Sequence, residues 1–221
     1  MIELRDVCKI YGAKNGDAAT KALSHVNLAI PDGQLLAVMG PSGSGKSTLL
    51  HILGCMDRIT TGEYYFNEIP VHKMDQKKRG MFRREQVSFI FQNFALMDHY
   101  SIYENIELPL VAMGKTQKER KKRVLNCAER LGIAGILERY PKQVSGGQQQ
   151  RAAIARAIAG GNSLILADEP TGALDQKNGK DLMKLLQQLN KEGKTIVVVT
   201  HDPNVAAYCQ RTVCIEDGQI S

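Results

Sequence analysis

The stretch 34-QLLAVMGPSGSGKSTLLHILGC-55 decides how the rest of the chain is read. Residues 34–39 form a short apolar run that reads as a strand, and the run from Lys46 to Cys55 reads as a helix. Between them, Gly40 and Gly45 to Ser47 fall at the spacing G-x-x-x-x-G-K-[ST]. Glycines at these positions let backbone N–H groups close round phosphate oxygens, and the helix N-terminus adds a partial positive charge. The ammonium of Lys46 suits phosphate oxygens and the hydroxyl of Ser47 suits Mg²⁺. The phosphate loop is therefore assigned to Gly40, Pro41, Ser42, Gly43, Ser44, Gly45, Lys46, Ser47 and Thr48.

Working outward, the chain alternates short apolar strands with helices. Strands are expected at 2–10, 26–30, 87–91, 164–167 and 195–199, and 63-EYYFNEIPVH-72 alternates like an exposed hairpin. From Ser101 to Ala159 the pattern turns helical. Capping boxes at Ser101-x-x-Glu104 and Thr116-x-x-Glu119 open two helices within it, and Gly160-Gly161 stops it. A further helix is expected from Gln176 to Asn190, and 217-DG-218 is a turn. Strands separated by helices imply a parallel sheet buried on both faces, with the long helical insertion as a side lobe. The fold class is α/β.

Composition narrows the functional classes. The longest apolar runs, such as 196-IVVV-199, are far short of the roughly 20 residues a membrane span needs. The start MIELRDVCKI has no basic-then-apolar leader pattern. Five cysteines without CxxC spacing argue against a zinc or redox site and suit a reducing, cytoplasmic compartment. The net charge of +6 is carried partly by 115-KTQKERKKR-123. With Val124, Leu125, Ala128 and Leu131 as an apolar stripe, that run reads as the solvated face of a helix rather than a nucleic-acid or anionic-lipid contact, since no aromatic residues are interleaved.

A second chemical element lies at 164-LILADEP-170. A strand ending in Asp168 places a carboxylate where it can hold Mg²⁺ through water, and Glu169 can polarise an attacking water as general base. Gln92 and His201 follow other apolar strands. In a parallel sheet, ligands sit outside the carboxyl ends of the strands, so Gln92, Asp168, Glu169 and His201 are expected around one terminal phosphate. A second glycine loop, Ser145-Gly146-Gly147-Gln148, opens another helix by the same device.

Taken together, Tyr11, 40-GPSGSGKST-48, Gln92, 145-SGGQ-148, 168-DEP-170, 173-ALD-175 and His201 resemble the ATP-binding subunit of ABC transporters over essentially the whole chain. The segments 93–110 and 145–158, and the long interval between Tyr11 and 22-ALSHVNL-28, look most like the macrolide-exporter and lipoprotein-release (MacB-type) branch. The resemblance implies a P-loop NTPase. Its RecA-like core (1–93 and 161–221) would carry an N-terminal antiparallel part and an inserted helical subdomain over approximately 94–160.

By resemblance, Tyr11 stacks on adenine, Gln92 couples Mg²⁺ to a membrane partner, Asp175 belongs to the ATP site, and His201 contacts the γ-phosphate with Glu169 as its catalytic neighbour. Two departures are visible: Val144 stands where leucine is usual, and 160-GGNS-163 lacks a usual Asn-Pro. The chain stops at Ser221, which is read as lacking a C-terminal regulatory domain.

The resemblance also answers why one chain carries two phosphate-reading loops. In the family, two copies face head to tail, and Ser145, Gly146 and Gly147 serve the nucleotide of the neighbour. The expected partners are thus a second copy and an integral membrane permease, with no direct nucleic-acid contact; the expected location is the inner face of the cell membrane. A transmission ATPase driving a non-transporting membrane partner fits the same residues. A nucleic-acid-associated ABC ATPase would be expected to carry two ATPase domains or long coiled-coil insertions.

Overall fold

The computed structural model describes residues 1–12 and 19–220. Part of the interval after Tyr11, residues 13–18, therefore lies outside the described residues, as does Ser221. An antiparallel sheet is built from β1 (Ile2–Tyr11), β2 (Thr20–Ile30), β4 (Thr61–Phe66) and β5 (Ile69–Pro70) in the order β2-β1-β4-β5. The second sheet has the order β10-β9-β3-β8-β7-β6, from β3 (Leu35–Met39), β6 (Val87–Ile90), β7 (Leu164–Asp168), β8 (Thr195–Val199), β9 (Arg211–Glu216) and β10 (Gln219–Ile220). The pairs β9–β3, β3–β8, β8–β7 and β7–β6 are parallel, and only β10 runs antiparallel.

Seven helices accompany the sheets among the described residues. They are α1 (Lys46–Leu53), α2 (Gln76–Gln86), α3 (Ile102–Ala112), α4 (Gln117–Arg130), α5 (Gly146–Ala159), α6 (Gln176–Lys191) and the single turn α7 (Pro203–Ala206).

The central parallel strands β3, β7 and β8 are almost wholly apolar because each face is covered, whereas β9 near the edge keeps exposed polar residues. Leu36, Val38, Leu164, Leu166, Val197 and Val199 join a core with the antiparallel sheet and α1. Their neighbours Leu35, Ile165, Ile196 and Val198 point the other way, into a core with α3, α4, α5 and α6. This period-2 alternation between two buried faces makes the sheet the middle layer of three. Each fully buried Leu, Ile or Val contributes about 1.5–3 kcal/mol relative to exposure. A charged residue at Val197, which is 0% exposed, would break the core between the parallel sheet, the antiparallel sheet and α1.

Several sequence expectations need correction. Strand β2 begins at Thr20, not at 26, because bulges in the β1–β2 ladder let a mixed polar stretch keep pairing. At those irregularities Asp6 and His25 have positive φ (50° and 52°). The stretch 63–72 does form a hairpin, β4 and β5 pairing antiparallel across Asn67 and Glu68, but one of its faces is buried. Strand β4 lies between β1 and β5, and Tyr64, Phe66 and Val71 are buried, with the Tyr64 hydroxyl donating to the Leu53 carbonyl at 2.8 Å. Helix α2 was not expected, since only Phe82 of its eleven residues is buried. Its sequence signal is the cap: Asp75 accepts from the Lys78 N–H at 2.7 Å.

Both expected capping boxes are formed, at Ser101/Glu104 and Thr116/Glu119. The helical stretch between β6 and β7 contains α3, α4 and α5 with two short 3₁₀ turns. In the atypical turn after α5, Asn162 Nδ2 donates to the Val87 carbonyl at 2.6 Å, tying the end of the helical lobe to β6. Val144 is half-buried against the helical core, so the smaller side chain is accommodated.

Candidate functional site

The glycine loop runs from the carboxyl end of β3 into α1, and its glycines have separate physical reasons. Gly45 is the N-cap of α1 with φ 107°, and a Cβ there would stand 2.5 Å from the Ala22 carbonyl oxygen. Gly40 has φ 152°, and a Cβ there would collide with the Ile215 carbonyl. Gly43, at φ 80°, needs glycine for its backbone alone. Lys46 Nζ donates to the carbonyls of Gly40 (2.8 Å) and Pro41 (2.6 Å), which holds the ammonium across the mouth of the loop. Ser47 is exposed beside it, while Ser44 is buried.

The carboxyl ends of β6, β7 and β8 bring their following residues to the same place. A cleft of about 640 Å³ is lined by Ser42, Gly43, Gly45 to Thr48, Gln92, Asp168, Glu169, Val199 and His201. Glu169 sits in the left-handed region (φ 43°), held there by its N–H donating to the Val199 carbonyl at 2.9 Å. A non-glycine residue in that region stores strain, which persists where surrounding bonds fix it. The result aims the carboxylate at His201: Nδ1 lies 2.7 Å from Glu169 Oε1, and Thr200 Oγ1 donates weakly to Oε2 at 3.4 Å.

Asp168 is set one residue deeper. Burial, followed by the neighbouring Glu169 carboxylate, pushes its pKa above the usual aspartate value, against the pull of His51 and Lys46. Two adjacent acids facing one cleft favour a cation between them and the phosphates. Gln92 lies over the backbone that follows Glu169: a Cβ on Gly172 would stand 2.9 Å from Gln92 Nε2. Among the described residues no cluster of three or more His, Cys, Asp or Glu could cage a metal. The oxygens of Ser47, Gln92 and Asp168 instead match Mg²⁺, which is usually held by few protein oxygens together with substrate phosphates.

Three sequence-assigned elements are placed elsewhere. Tyr11 ends β1, and its hydroxyl donates to Asp57 Oδ2 at 2.7 Å. Burial first, and the Asp57 bond second, raise its pKa, while Thr48 beside the hydroxyl works against them. Asp175 is the N-cap of α6, accepting the Asn178 N–H at 2.8 Å; that backbone bond holds its carboxyl below the usual range. Ser145 is the exposed N-cap of α5, closed by a capping box with Gln148. Neither Ser145, Gly146, Gly147 nor Gln148 lines the cleft of Lys46.

Two supporting residues were missed in the sequence. Arg156 on α5 donates to the carbonyls of Phe94 (2.7 Å) and Ala95 (2.5 Å), whose φ values of 58° and 48° mark a strained turn just after Gln92. Asn105, 0% exposed, accepts the Met97 N–H at 2.7 Å. It also donates to the carbonyls of Met97, Tyr100 and Ser101. An asparagine among Ile102, Ile106 and Leu110 on the buried face of α3 was the available signal.

This arrangement agrees with the relatives of the chain. Residues 23–172 match the family model described as ABC transporter. The uncharacterized ABC transporter ATP-binding protein MJ0796 of Methanocaldococcus jannaschii is 47% identical over 228 residues, covering 100% of this chain and 95% of that protein. The macrolide export ATP-binding/permease protein MacB of Escherichia coli K12 is 44% identical over 220 residues, and the chain spans 34% of its length. A dimeric structure of a post-hydrolysis state of the MJ0796 cassette, bound to ADP and Pi, superposes with a TM-score of 0.91 at 44% identity. That match covers 100% of this chain and 97% of the other. The chain therefore belongs to the ABC transporter family, as an ABC ATPase domain of the MacB and MJ0796 type.

Proposed function

We propose that this chain hydrolyses ATP in a head-to-tail dimer and thereby drives a membrane permease that exports or extracts amphipathic molecules, peptides or lipoproteins. The observation that carries the dimer is the separation of its two glycine loops. The cleft of Lys46 has the loop, the acids and His201, yet Ser145 to Gln148 lie outside it. Gly146 is the telling residue. It has an ordinary backbone conformation and nothing within 4 Å of an added Cβ, so no contact inside the chain requires glycine there. A side-chain-free, exposed helix N-terminus suits close approach of a phosphate from another molecule.

Within each composite site the residues take distinct roles. The loop N–H groups and Lys46 hold the phosphates, Glu169 takes a proton from the attacking water, and His201, bonded to Glu169, stands toward the γ-phosphate. Ser47, Gln92 and Asp168 would hold Mg²⁺, which neutralises phosphate charge when bound. Tyr11 receives the adenine, and Asp175 places the start of α6 beside the same interface. The helical subdomain, approximately 94–160, links this chemistry to the permease through the turn after Gln92.

The permease partner is supported by the fused ATP-binding/permease relative, whose length is about three times that matched here. No helix among the described residues is long and apolar enough to cross a membrane. The experiment is light scattering on purified Glu169→Gln protein. Mg-ATP is expected to convert monomer to dimer by mass action, and ADP is not. A mass that stays monomeric at saturating ATP would refute the dimer.

A further inference from the structure

Tyr11 is held by two groups outside the phosphate cleft. Lys9, two residues earlier on β1, places its ammonium 4.5 Å from the centroid of the Tyr11 ring. That ammonium is fixed in turn, donating to Asp57 Oδ1 at 2.7 Å and to the Arg58 carbonyl at 2.8 Å. The other carboxylate oxygen of Asp57 accepts the Tyr11 hydroxyl at 2.7 Å, and Oδ1 also accepts the Arg58 N–H at 2.6 Å. Lys9 is only 8% exposed, whereas Tyr11 is 39% exposed. One partly buried ion pair thus grips both the hydroxyl and one face of an otherwise accessible ring.

We infer that Lys9 and Asp57 are positioning residues for the nucleotide base: they fix the plane of Tyr11 and close one of its faces, leaving the other for a single planar aromatic base. The inference rests on the reading of Tyr11 as the base contact. A ring whose plane is set beforehand loses less freedom when the base arrives, so the binding energy of stacking is retained. The ammonium beneath the ring already uses the negative face of its quadrupole. The free face is then poorly suited to a second cation and better suited to a neutral, electron-rich purine. Neither Lys9 nor Asp57 lines the cleft of Lys46, so their effect should be confined to the base.

The test compares ATP with inorganic tripolyphosphate, which presents the phosphates without a base, using the purified chain. Tyr11→Phe removes the hydroxyl bond, Lys9→Met removes the cation, Lys9→Arg restores it, and Tyr11→Ala removes the platform. Tyr11→Phe and Lys9→Met should each lose about three- to tenfold in ATP affinity, the scale of one cation–π or hydrogen-bond contact. Tripolyphosphate affinity should not change. In turnover, KM should rise by the same factor with kcat unchanged, and Lys9→Arg should recover most of the loss.

If Tyr11→Ala weakens ATP selectively while Tyr11→Phe and Lys9→Met bind ATP as the unaltered chain does, the positioning role is overturned and the base contact survives. If Tyr11→Ala weakens both ligands equally, or neither, the base contact itself fails. Equal weakening of both ligands in Lys9→Met and Tyr11→Phe would show loop disruption and also overturn the inference.

Discussion

His201 Nδ1 stands 2.7 Å from Glu169 Oε1, joining the ends of two neighbouring parallel strands across the mouth of the cleft. Glu169 is mostly covered (side chain 17% exposed) and His201 mostly open (75%), so the pair runs from the sheet toward solvent. The contact with the imidazole directs Oε1, while Oε2 takes only the weak Thr200 hydroxyl bond and can also accept from a water.

The pair predicts a division between binding and turnover. Glu169→Gln should bind ATP normally and hydrolyse it at least ~10²-fold more slowly, the scale of a lost general base. His201→Ala should fall on the same side, with ATP affinity reduced far less than kcat. Lys46→Ala should lose binding as well. Nucleotide titrations and single-turnover assays on the same preparations separate the three; normal turnover in Glu169→Gln would remove it from its role.

The two glycine loops predict opposite outcomes for the same substitution. Gly45→Ala forces a side chain into φ 107° against the Ala22 carbonyl, so the loop must shift. It should cost roughly 1–3 kcal/mol of stability and at least tenfold in monomer ATP affinity. Gly146→Ala meets open space and should leave both unchanged, yet impair ATP-dependent dimerisation. Thermal melts, ATP titration and light scattering read the three quantities; loss of monomer ATP affinity in Gly146→Ala would contradict the account.

Asp168 gives a pH signature. Its folded-state pKa lies above the ordinary value of 3.8, so the folded chain holds this proton more tightly than the unfolded chain does. Its contribution to stability is therefore most favourable below 3.8, declines as pH rises through the window from 3.8 to the raised value, and stays low above it. Asp168→Asn should remove that decline and raise the melting temperature at neutral pH, while Mg²⁺-dependent ATP binding is lost. A lower melting temperature at pH 7 in Asp168→Asn would show that the charge stabilises the nucleotide-free fold.

Much of this was legible before the structure because the informative residues are local. The run from residue 34 to Cys55 specifies strand, loop and helix within one segment, and the buried strands are too apolar to read otherwise. Tertiary context was not legible. Helix α2 has almost no apolar face and is recognisable only by its Asp75 cap. Strand β4 alternates as a surface strand would, but another layer covers it. Arg156 and Lys9 look like ordinary surface cations until the turn at Phe94 and the ring of Tyr11 are placed beside them.

The proposed link from the turn after Gln92 to a permease can be tested in the same terms. Met97 (53% exposed) and Tyr100 (40% exposed) project from a loop that Asn105 and Arg156 hold in place. Met97→Glu and Tyr100→Glu should abolish co-purification with a permease partner and spare ATP binding. Neutralising Lys118, Lys121 and Lys122 on α4 should leave the association within about twofold, since exposed cations are individually weak contacts. Retention in both loop variants with loss in the neutralised one would move docking to α4.

The central claim, that the loop at Ser145 serves a neighbour's nucleotide, is tested most directly by Ser145→Arg in the Glu169→Gln background. ATP affinity of the monomer and ATP-dependent mass are measured on the same sample. The account predicts unaltered monomer ATP affinity and no dimer at saturating Mg-ATP, because the bulky cation displaces the contact to the neighbour's phosphate. Loss of monomer ATP affinity equal to the loss of dimer would contradict it, and would assign Ser145 to Gln148 to the chain's own nucleotide.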